Sequence, residues 1–378
     1  MGSTQETVGT LVVGGGVNGA GIAYYLAKAG EQDVLLVEAE DYGSGATAGS
    51  MGNIRQQFGT PIEIECSRRG LHFWKNVESI LGSPCIFHED GFMMITESEE
   101  NVRTLGKHAA LQRSLGMPDV EILKPQEIAD VVPFIDPHGL LCGSYTPHDG
   151  HVMPMDGMTA FQNAARELGV RFRSHSKVRE IVRVGLDWLA RGPSEVRAKR
   201  VVIAAGAGTK ELVAPFGIDL DIRAVPHLNL LTESAFPGQR IPTVIDIDYG
   251  MTVERDGPQL IFAMTGRNPA PANHDQLADM FMARAQVRAP ALTDIGLAKQ
   301  LIAYPTVGGD DQPYIGNVDD NLWMLAFTGH GAMHGPPLAE AVAKMALGRP
   351  DETLDVSCWD PRRVPSKPNV LWRRNRQD

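Results

Sequence analysis

A glycine-rich turn near the N-terminus constrains the fold more than any other feature of the sequence. Residues 8–38 are predicted to form strand, helix and strand, because "TLVVGGG" and "DVLLVEAE" are apolar runs and "VNGAGIAYYLAKAG" is helical. Gly14 permits a tight turn, Gly16 lets the backbone approach a pyrophosphate, and Gly19 lets the helix pack on the strand. Glu38 closes the second strand about 20 residues on, where a carboxylate accepts hydrogen bonds from ribose hydroxyls. The pattern predicts a βαβ unit that binds a dinucleotide at a helix N-terminus.

The residues after Glu38 distinguish between dinucleotides. A carboxylate at this position would repel a 2′-phosphate, so NAD or FAD is expected rather than NADP. The following segment, "YGSGATAGSMGNIRQQF", supplies the hydroxyl groups of Ser44, Thr47 and Ser50 as further pyrophosphate donors, which favours FAD. The strand "RVVIAAGAGT" at 200–209 ends in glycines that let the backbone pass close to a cofactor. An NAD-binding protein without a flavin is the alternative at this point.

Composition excludes several classes of protein. The chain has 378 residues, enough for more than one domain, and its 43% hydrophobic and 21% charged residues are typical of a globular protein. A formal net charge of -11 disfavours nucleic acid as a partner. No apolar run is long enough to span a membrane and the N-terminus lacks a signal-peptide pattern, so we expect a cytoplasmic protein. The four cysteines show no CxxC spacing, so neither a metal site nor a disulfide framework is expected.

The predicted α/β elements are interrupted twice along the chain. Two segments with mostly β patterns, 84–145 and 223–300, separate the α/β segments 1–83, 146–222 and 301–378. Within the first β segment, "CIFHEDGFMMIT" is predicted to form a hairpin. The expected fold class is therefore α/β, with a Rossmann-like dinucleotide-binding domain into which a substrate domain with an antiparallel or mixed β-sheet is inserted.

Several motifs occur in the order found in one known family. They are the glycine fingerprint with Glu38, then "SMGNIRQQF", "GSYTPHDGHVMP", "KVREI", "VVIAAGAG", "DQPYIG" and "AFTGHGAMHGPP". With these motifs the chain resembles the D-amino-acid oxidase and sarcosine oxidase superfamily, most of all the sarcosine oxidase β-subunit-like branch that includes glycine oxidase and related amine dehydrogenases. The resemblance implies a Rossmann-like FAD domain, a substrate domain whose sheet lies over the flavin, and oxidation of a C–N bond to an imine.

The stretch "AFTGHGAMHGPPLAEAVAKM" at 326–345 is predicted to hold the flavin ring. Its glycines precede a helix that starts with two prolines, which the first turn tolerates because its N–H groups have no intrahelical partner. The N–H groups of Gly329, His330 and Gly331 can donate to the C2 carbonyl of the ring, and the helix N-terminus stabilises negative charge there. The resemblance places the same segment at the isoalloxazine. Local capping or packing is the alternative for His330 and the favoured role for His334.

The motifs and the resemblance together define the predicted cofactor contacts. These are Gly14, Gly16, Val17, Asn18, Gly19, Glu38, Ala39, Ser44, Thr47, Ser50, Met51, Val178, Ala205, Gly206, Gly329, His330, Gly331, Ala332 and Met333. FAD without a covalent link is expected, because Ile302 stands where the monomeric sarcosine oxidases carry the cysteine that tethers the flavin.

Arg55 is the predicted substrate anchor. Its guanidinium can grip a carboxylate through two parallel hydrogen bonds, which a lysine cannot imitate. The resemblance places Arg55 on the arginine that binds the carboxylate of an amino acid. Pairing with Glu63 or Glu65 is the alternative role for this arginine.

Four further residues complete the predicted catalytic set or flank it. The resemblance places Tyr249 and Tyr304 among the tyrosines of the substrate pocket, where their hydroxyl groups could orient an amine, and aromatic core packing is the alternative for each. His330 is predicted to be catalytic as well as in contact with the cofactor. His227, at the start of a predicted strand, is a weaker candidate.

Two lysines of the family are absent from the sequence. Met333 replaces the lysine that helps to bind the carboxylate, and the apolar Leu260 or Ile261 falls where a lysine helps reduced flavin react with oxygen. Arg55 is therefore the expected anchor, and the choice between an oxidase and a dehydrogenase stays open.

The expected reaction is hydride transfer from the carbon beside a neutral amine to N5 of the flavin, with a small-molecule amine or amino acid as substrate. A 2-hydroxy acid dehydrogenase is the first alternative, and it would need a base such as His330 near the hydroxyl. The second is a flavoprotein subunit of a larger amine dehydrogenase, with the basic tail "RRVPSKPNVLWRRNRQD" as a docking surface. A homo-oligomer and an assembly with a partner subunit are both compatible with the sequence.

Overall fold

The computed structural model describes residues 6–264 and 274–365, so most of the basic tail lies outside the described residues. In chain order the strands are β1 (Glu6–Val13), β2 (Val34–Val37), β3 (Asn53–Ile54), β4 (Phe87–His88), β5 (Phe92–Thr96), β6 (Glu121–Leu123), β7 (Cys142–Thr146), β8 (Gly150–Val152), β9 (Arg171–Arg173), β10 (Glu180–Val184), β11 (Asp187–Arg191), β12 (Val196–Ile203), β13 (Ile222–Ala224), β14 (His227–Thr232), β15 (Thr243–Asp246), β16 (Met251–Asp256), β17 (Gln259–Met264), β18 (Leu297–Ala303), β19 (Thr306–Gly308), β20 (Tyr314–Asp319) and β21 (Leu322–Ala326). The helices are α1 (Val17–Lys28), α2 (Pro61–Lys75), α3 (Val77–Leu81), α4 (Glu99–Ser114), α5 (Pro125–Val131), α6 (Pro154–Glu167), α7 (Thr209–Val213), α8 (His274–Arg288) and α9 (Gly335–Ala346).

The first of two eight-stranded sheets is built around four parallel strands, and a fifth, β9, runs parallel to β2 at one edge. Its order is β10-β11-β12-β1-β2-β9, with β21 beside β12 and β20 beside β21. Strands β2, β1, β12 and β21 run parallel to one another. β2 is buried along its whole length, as expected for a strand covered on both faces. Because the four strands are parallel, their carboxyl ends meet at one edge of the sheet.

Helices α1, α6 and α9 cover one face of this sheet. The contact between α1 and α9 is close, because a Cβ atom added at Gly21 would lie 3.2 Å from the Cβ of Ala339. Tyr24 and Tyr25 of α1 pack against Phe161 of α6 in the same core. The small residues along α1 therefore serve to bring two helix N-termini together at the same edge of the sheet.

The second sheet has the order β18-β14-β17-β16-β15-β5-β7-β6. Its pairs are antiparallel except for β15 and β5, so the sheet is mixed. Its strands come from 92–146 and 227–303, and β18 runs past the limit expected at residue 300 to Ala303. The predicted fold class, an α/β dinucleotide domain of Rossmann type combined with a β-sheet substrate domain, is confirmed.

The hairpin predicted for residues 85–96 is wrong. Strand β4 pairs with β8 in a small sheet that also contains β3, whereas β5 pairs with β7 and β15 in the second sheet. Gly91 turns the chain between the two sheets with a φ of 91°, and its N–H donates to the carbonyl of Asp149 at 2.8 Å. A turn between two apolar runs does not specify which strands they will pair with.

Within the described ranges, no helix is both long and apolar enough to cross a membrane.

Gly70 offers a test of how closely α2 packs against the segment that follows β21. A Cβ atom added at Gly70 would lie 1.8 Å from the backbone oxygen of Met333, so Gly70→Ala should lower the free energy of unfolding by about 1–3 kcal/mol or more. Gly106 on α4 is exposed and has nothing within 4 Å of an added Cβ, so Gly106→Ala should raise it by about 0.5–1 kcal/mol. Denaturant unfolding of both variants measures the two effects, and equal signs would contradict this account.

Candidate active site

The carboxyl ends of the four parallel strands open onto one cavity of about 2140 Å³. Its lining includes the residues that follow β1, β2, β12 and β21, together with side chains of the second sheet. Ligands of open α/β sheets bind at such an edge. The volume exceeds the roughly 300–1,000 Å³ that holds a drug-sized molecule, so a cofactor and a substrate can share the cavity.

Every residue predicted to contact the cofactor lines this cavity: Gly14, Gly16, Val17, Asn18, Gly19, Glu38, Ala39, Ser44, Thr47, Ser50, Met51, Val178, Ala205, Gly206, Gly329, His330, Gly331, Ala332 and Met333. They come from five separate stretches of sequence. The two glycine-rich turns, after β1 and after β21, therefore face the same space.

The first glycine turn is shaped by contacts that exclude side chains. Gly14 has a φ of 116°, and a Cβ atom there would lie 2.3 Å from the backbone oxygen of Ala204. A Cβ atom at Gly19 would lie 1.9 Å from the oxygen of Gly14, so both positions require glycine. Gly16 at the N-cap of α1 carries no capping side chain, and the first turn has no acidic residue. The positive end of α1 is thus left for an anion.

Glu38 and Thr47 brace the loops around this helix end. The carboxylate of Glu38 accepts from the N–H of Gly15 at 2.6 Å and from the N–H of Glu40 at 3.0 Å. The hydroxyl of Thr47 accepts from the N–H of Val17 at 3.1 Å. Each carboxylate oxygen can accept a second hydrogen bond, so this bracing leaves Glu38 able to bind a ribose hydroxyl.

Residues 329–334, here called the late turn, lie beside the first glycine turn. Gly329 and His330 have φ values of 84° and 57°, and α9 follows with neither a capping side chain nor an acidic residue in its first turn. A Cβ atom at Gly331 would lie 3.0 Å from the side-chain nitrogen of Asn18. The indole N–H of Trp74 on α2 donates to the backbone oxygen of Ala332 at 2.8 Å and so stabilises the late turn. Two helix N-termini without an acidic residue in the first turn therefore lie at one cavity.

Arg55 is buried at the wall of the cavity, with 3% of its surface exposed. One guanidinium nitrogen donates to the backbone oxygen of Gln57, and the other lies 3.0 Å from Nε2 of His330. The group also lies 4.1 Å from the centre of the Phe58 ring. Burial lowers the pKa of Arg55 to about 10, so the guanidinium keeps its charge at neutral pH.

The acids considered as alternative partners of Arg55 have other partners. Glu65 forms ion pairs with Arg68 and Arg69 at 2.9 and 2.8 Å. Glu63 accepts from Thr60 at the start of α2 and from Gln312. The charges of Glu63 and Asp149 nevertheless act on Arg55 and raise its pKa against the effect of burial.

His330 is an acceptor that orients Arg55. Burial, the charge of Arg55 and the nearby His334 hold the pKa of His330 well below its usual value, so the ring is neutral. Because a guanidinium only donates, Nε2 of His330 accepts and the proton is on Nδ1. The predicted catalytic role of His330 is thus best understood as positioning of the substrate anchor.

The two predicted tyrosines have different environments. Tyr304 lines the cavity with 55% of its surface exposed. Tyr249 does not line it: the residue lies in the turn between β15 and β16, with the guanidinium of Arg284 3.2 Å from its ring centre, and a hydrogen bond with Glu97 raises its pKa. The ring of Tyr249 packs against Arg284 of α8, and its contact with a substrate stays a prediction. His227, the weaker candidate, does line it.

Sequence reasoning missed the wall that the second sheet contributes. Phe92, Ile245, Thr252 and Asn229 line the cavity from four strands of this sheet. Oδ1 of Asn229 is buried without a hydrogen-bond partner among the described residues. The alternation in "HLNLLT" could have found it, because His227 and Asn229 share a face of β14.

Other missed residues lie near Glu38 and beside Arg55. Three cations line the cavity: Lys177 and Arg179, which follow β9, and Arg223, which lies within β13. Asn53 lines it two residues before Arg55.

In the part of the chain that the structure describes, no group of three or more histidine, cysteine or acidic side chains is arranged to hold a metal ion.

Comparison with known proteins places these features in context. The family model described as "DAO: FAD dependent oxidoreductase" matches residues 10–345. The 4-methylaminobutanoate oxidase (formaldehyde-forming) of Paenarthrobacter nicotinovorans is 26% identical over 364 residues, which are 90% of this chain and 44% of that protein. The mitochondrial dimethylglycine dehydrogenase of Rattus norvegicus is 28% identical over 263 residues, 67% of this chain and 30% of that protein. The chain thus spans less than half the length of these two relatives.

The fold is also found among solved structures. The crystal structure of L-proline dehydrogenase from P. horikoshii aligns with a TM-score of 0.86 at 25% identity, covering 95% of this chain and 98% of that chain. The glycine oxidase from Geobacillus kaustophilus aligns with a TM-score of 0.82 at 22% identity, covering 95% of this chain and 100% of that chain.

His334 should make the protein sensitive to acid. Burial, reinforced by the charge of Arg55, lowers the pKa of His334 to about 3, against 6.5 for a free histidine. The folded protein therefore loses stability as the pH falls from 6.5 toward 3, by about 1.4 kcal/mol per pH unit from this group. His334→Phe, which keeps a ring between Phe58 and Trp359, should remove that slope.

The exposed His72 on α2 serves as the control. His72→Gln should leave the acid slope of the free energy of unfolding as it is in the wild type. Chemical denaturation at a series of pH values measures both variants. A slope in His334→Phe equal to that of the wild type would show that His334 is not held neutral.

Proposed function

The chain belongs to the DAO family of FAD-dependent oxidoreductases, and from this premise we propose that it oxidises the C–N bond of a carboxylate-bearing amine to an imine. The observation that carries the proposal is the buried guanidinium of Arg55 at the wall of the cavity, beside the late turn. Arg55 would grip the substrate carboxylate and so present the carbon next to nitrogen to the cofactor.

The residues of the cavity fit FAD. The positive end of α1 and its glycines would bind the pyrophosphate, and Glu38 would accept from a ribose hydroxyl. The late turn and the positive end of α9 would hold the flavin ring. When bound, FAD would supply the electron acceptor for oxidation of the carbon beside the substrate nitrogen. A non-covalent complex is expected, because none of the four cysteines lines the cavity and neither does Ile302.

The relatives support a substrate with both a carboxylate and an alkylated nitrogen. The names 4-methylaminobutanoate, dimethylglycine and L-proline each denote a compound with these two groups. Arg55 would bind the first group through a bidentate contact. The second would lie against Tyr304 and the unpartnered Oδ1 of Asn229, which can accept from an N–H group. Phe92 and Ile245 would exclude water between them.

The geometry disfavours the oxidation of a 2-hydroxy acid. That reaction needs a base at the hydroxyl, and His330 is the residue that the sequence offered for it. Its Nε2 lone pair faces Arg55 at 3.0 Å, and its low pKa makes the ring a poor base. An amine that reacts in its neutral form needs no such base.

The absorption spectrum of the purified protein tests the proposal. A yellow protein whose flavin is bleached under nitrogen by N-methyl or cyclic amino acids, and not by 2-hydroxy acids, is the expected result. A colourless folded protein, or bleaching by hydroxy acids alone, would refute it. Repeating the bleaching in air shows whether oxygen serves as the acceptor.

Arg55 should control substrate binding rather than cofactor binding. Arg55→Ala removes a buried charged partner of the carboxylate, which should cost about 2–5 kcal/mol and raise KM by a factor of roughly 30 or more. Arg55→Lys keeps the charge but loses the two parallel N–H groups that bind a carboxylate, so an intermediate KM is expected. Arg68, half-buried and paired with Glu65, is the control: Arg68→Ala should leave KM within about twofold.

Steady-state kinetics with the best amine of the panel measures these variants. The flavin spectrum of each one reports whether the cofactor is still bound. An Arg55→Ala protein that keeps its flavin and its wild-type KM would remove Arg55 from this role.

A further inference from the structure

Glu254 is a buried carboxyl group that contacts Asn53, a residue of the cavity wall. It lies on β16 with 1% of its surface exposed, and its Oε2 accepts a hydrogen bond from the side-chain amide of Asn53 on β3. Asn53 lines the cavity two residues before Arg55. The contact therefore joins the second sheet to the segment that carries the substrate anchor.

Among the described residues, the charged groups that shift the pKa of Glu254 are both acidic. The charged groups are Asp256 on the same strand and Asp90 in the turn before β5, and together with burial they raise the pKa of Glu254 well above its usual value. Asp90 itself pairs with His151 at 3.2 Å. The adjacent Arg255 binds the backbone oxygens of Ala235 and Phe236 on the opposite face of β16. On the neighbouring strand β17, the apolar Ile261 lies opposite Glu254.

Two atoms of this pair are left without partners. Oε1 of Glu254 and Oδ1 of Asn53 are both buried, and neither has a hydrogen-bond partner among the described residues. Both are acceptors if the carboxyl is ionised, and two unsatisfied buried acceptors are costly. A proton on Oε1 would make that atom a donor, because a neutral carboxyl donates through its O–H group. With that O–H directed at Oδ1, the acid and the amide would bind at two points, N–H to Oε2 and O–H to Oδ1.

We propose that Glu254 is a neutral carboxylic acid that holds Asn53, and through it Arg55, in place by a two-point acid–amide pair. Glu254 is then a positioning residue of the carboxylate site, and this part of the inference rests on the proposed function. The effect reaches Arg55 because residues 53–57, here called the anchor segment, begin as strand β3 at Asn53 and carry Arg55 two residues later. Gln56 and Gln57 tie its other end to Asp149 and to backbone oxygens of β5 and β7.

The protonation state is tested without any ligand. The folded state holds a proton that the unfolded state releases above pH 4.5, so this group's contribution falls as the pH rises toward its folded pKa. Glu254→Gln keeps both hydrogen bonds as an amide–amide pair and cannot titrate. The ratio of the folding constants of wild type and Glu254→Gln should fall by about tenfold per pH unit in the neutral range. A ratio that stays constant between about pH 5 and 8 would overturn the proposal.

A second variant adds an electrostatic check. Asp256→Asn removes one of the two negative charges near Glu254 and should lower the pKa of Glu254. The pH at which the ratio stops falling should then move to a lower value. If this ratio of folding constants is independent of pH in the wild type, and Asp256→Asn does not change that, then Glu254 is ionised and the proposal is wrong.

The positioning role is tested with acetate as a probe for the carboxylate site of the FAD-bound protein. Glu254→Leu removes both hydrogen bonds and should weaken acetate binding, followed by flavin absorbance, by about tenfold, whereas Glu254→Gln should rescue it. In an Arg55→Ala background the Leu substitution should have less than about a twofold effect. Equal weakening with and without Arg55, or no weakening at all, would refute the positioning role.

The two experiments separate this inference from the proposed function. If Arg55→Ala binds acetate as tightly as the wild type, the carboxylate anchor itself is refuted. The ratio of folding constants still decides whether Glu254 is neutral, because it depends on no ligand.

Discussion

The close contact of α1 with the late turn and α9 is the constraint on which the site depends. Gly21 and Ala339 let the two helices approach, and Gly331 lies beside the side chain of Asn18. A side chain at either helix contact would separate the helix ends. Because they stay together, two positive helix N-termini without acidic caps open onto one cavity. An extended anionic cofactor matches that arrangement, with its pyrophosphate at one helix and its ring at the other.

The anchor segment links this cofactor site to the second sheet. Asn53, Gln56 and Gln57 each use a side-chain amide to bind a residue that belongs to or borders that sheet. Arg55 lies between these three attachments and donates a hydrogen bond on the other side, to His330. The arginine is therefore held by both halves of the molecule, and a substrate bound to it would be placed between the cofactor and the sheet. Fixing a charged group on a rigid frame in this way reduces the entropy lost on binding.

Local chemistry made much of this site predictable. The glycines after β1, the hydroxyl groups after β2 and the glycines of the late turn all follow strand ends, where the type of residue depends on turn geometry and on the approach of the backbone to a ligand. Pairing between strands was less predictable, because the pattern of apolar residues does not say which sheet a strand joins. The segment 85–96 shows this, since its two strands belong to different sheets.

The sequence by itself determined the α/β class and the βαβ unit with its glycine turn. These depend on residues close together in the chain, where periodicity and backbone geometry act directly. Only the tertiary structure decided that His330 accepts from Arg55, 275 residues away, and that Glu254 faces Asn53, 201 residues away. Such contacts depend on strand register and on burial, which remove water and leave each polar group to its nearest partner. The protonation states of His330 and Glu254 follow from that burial and from no local pattern of residues.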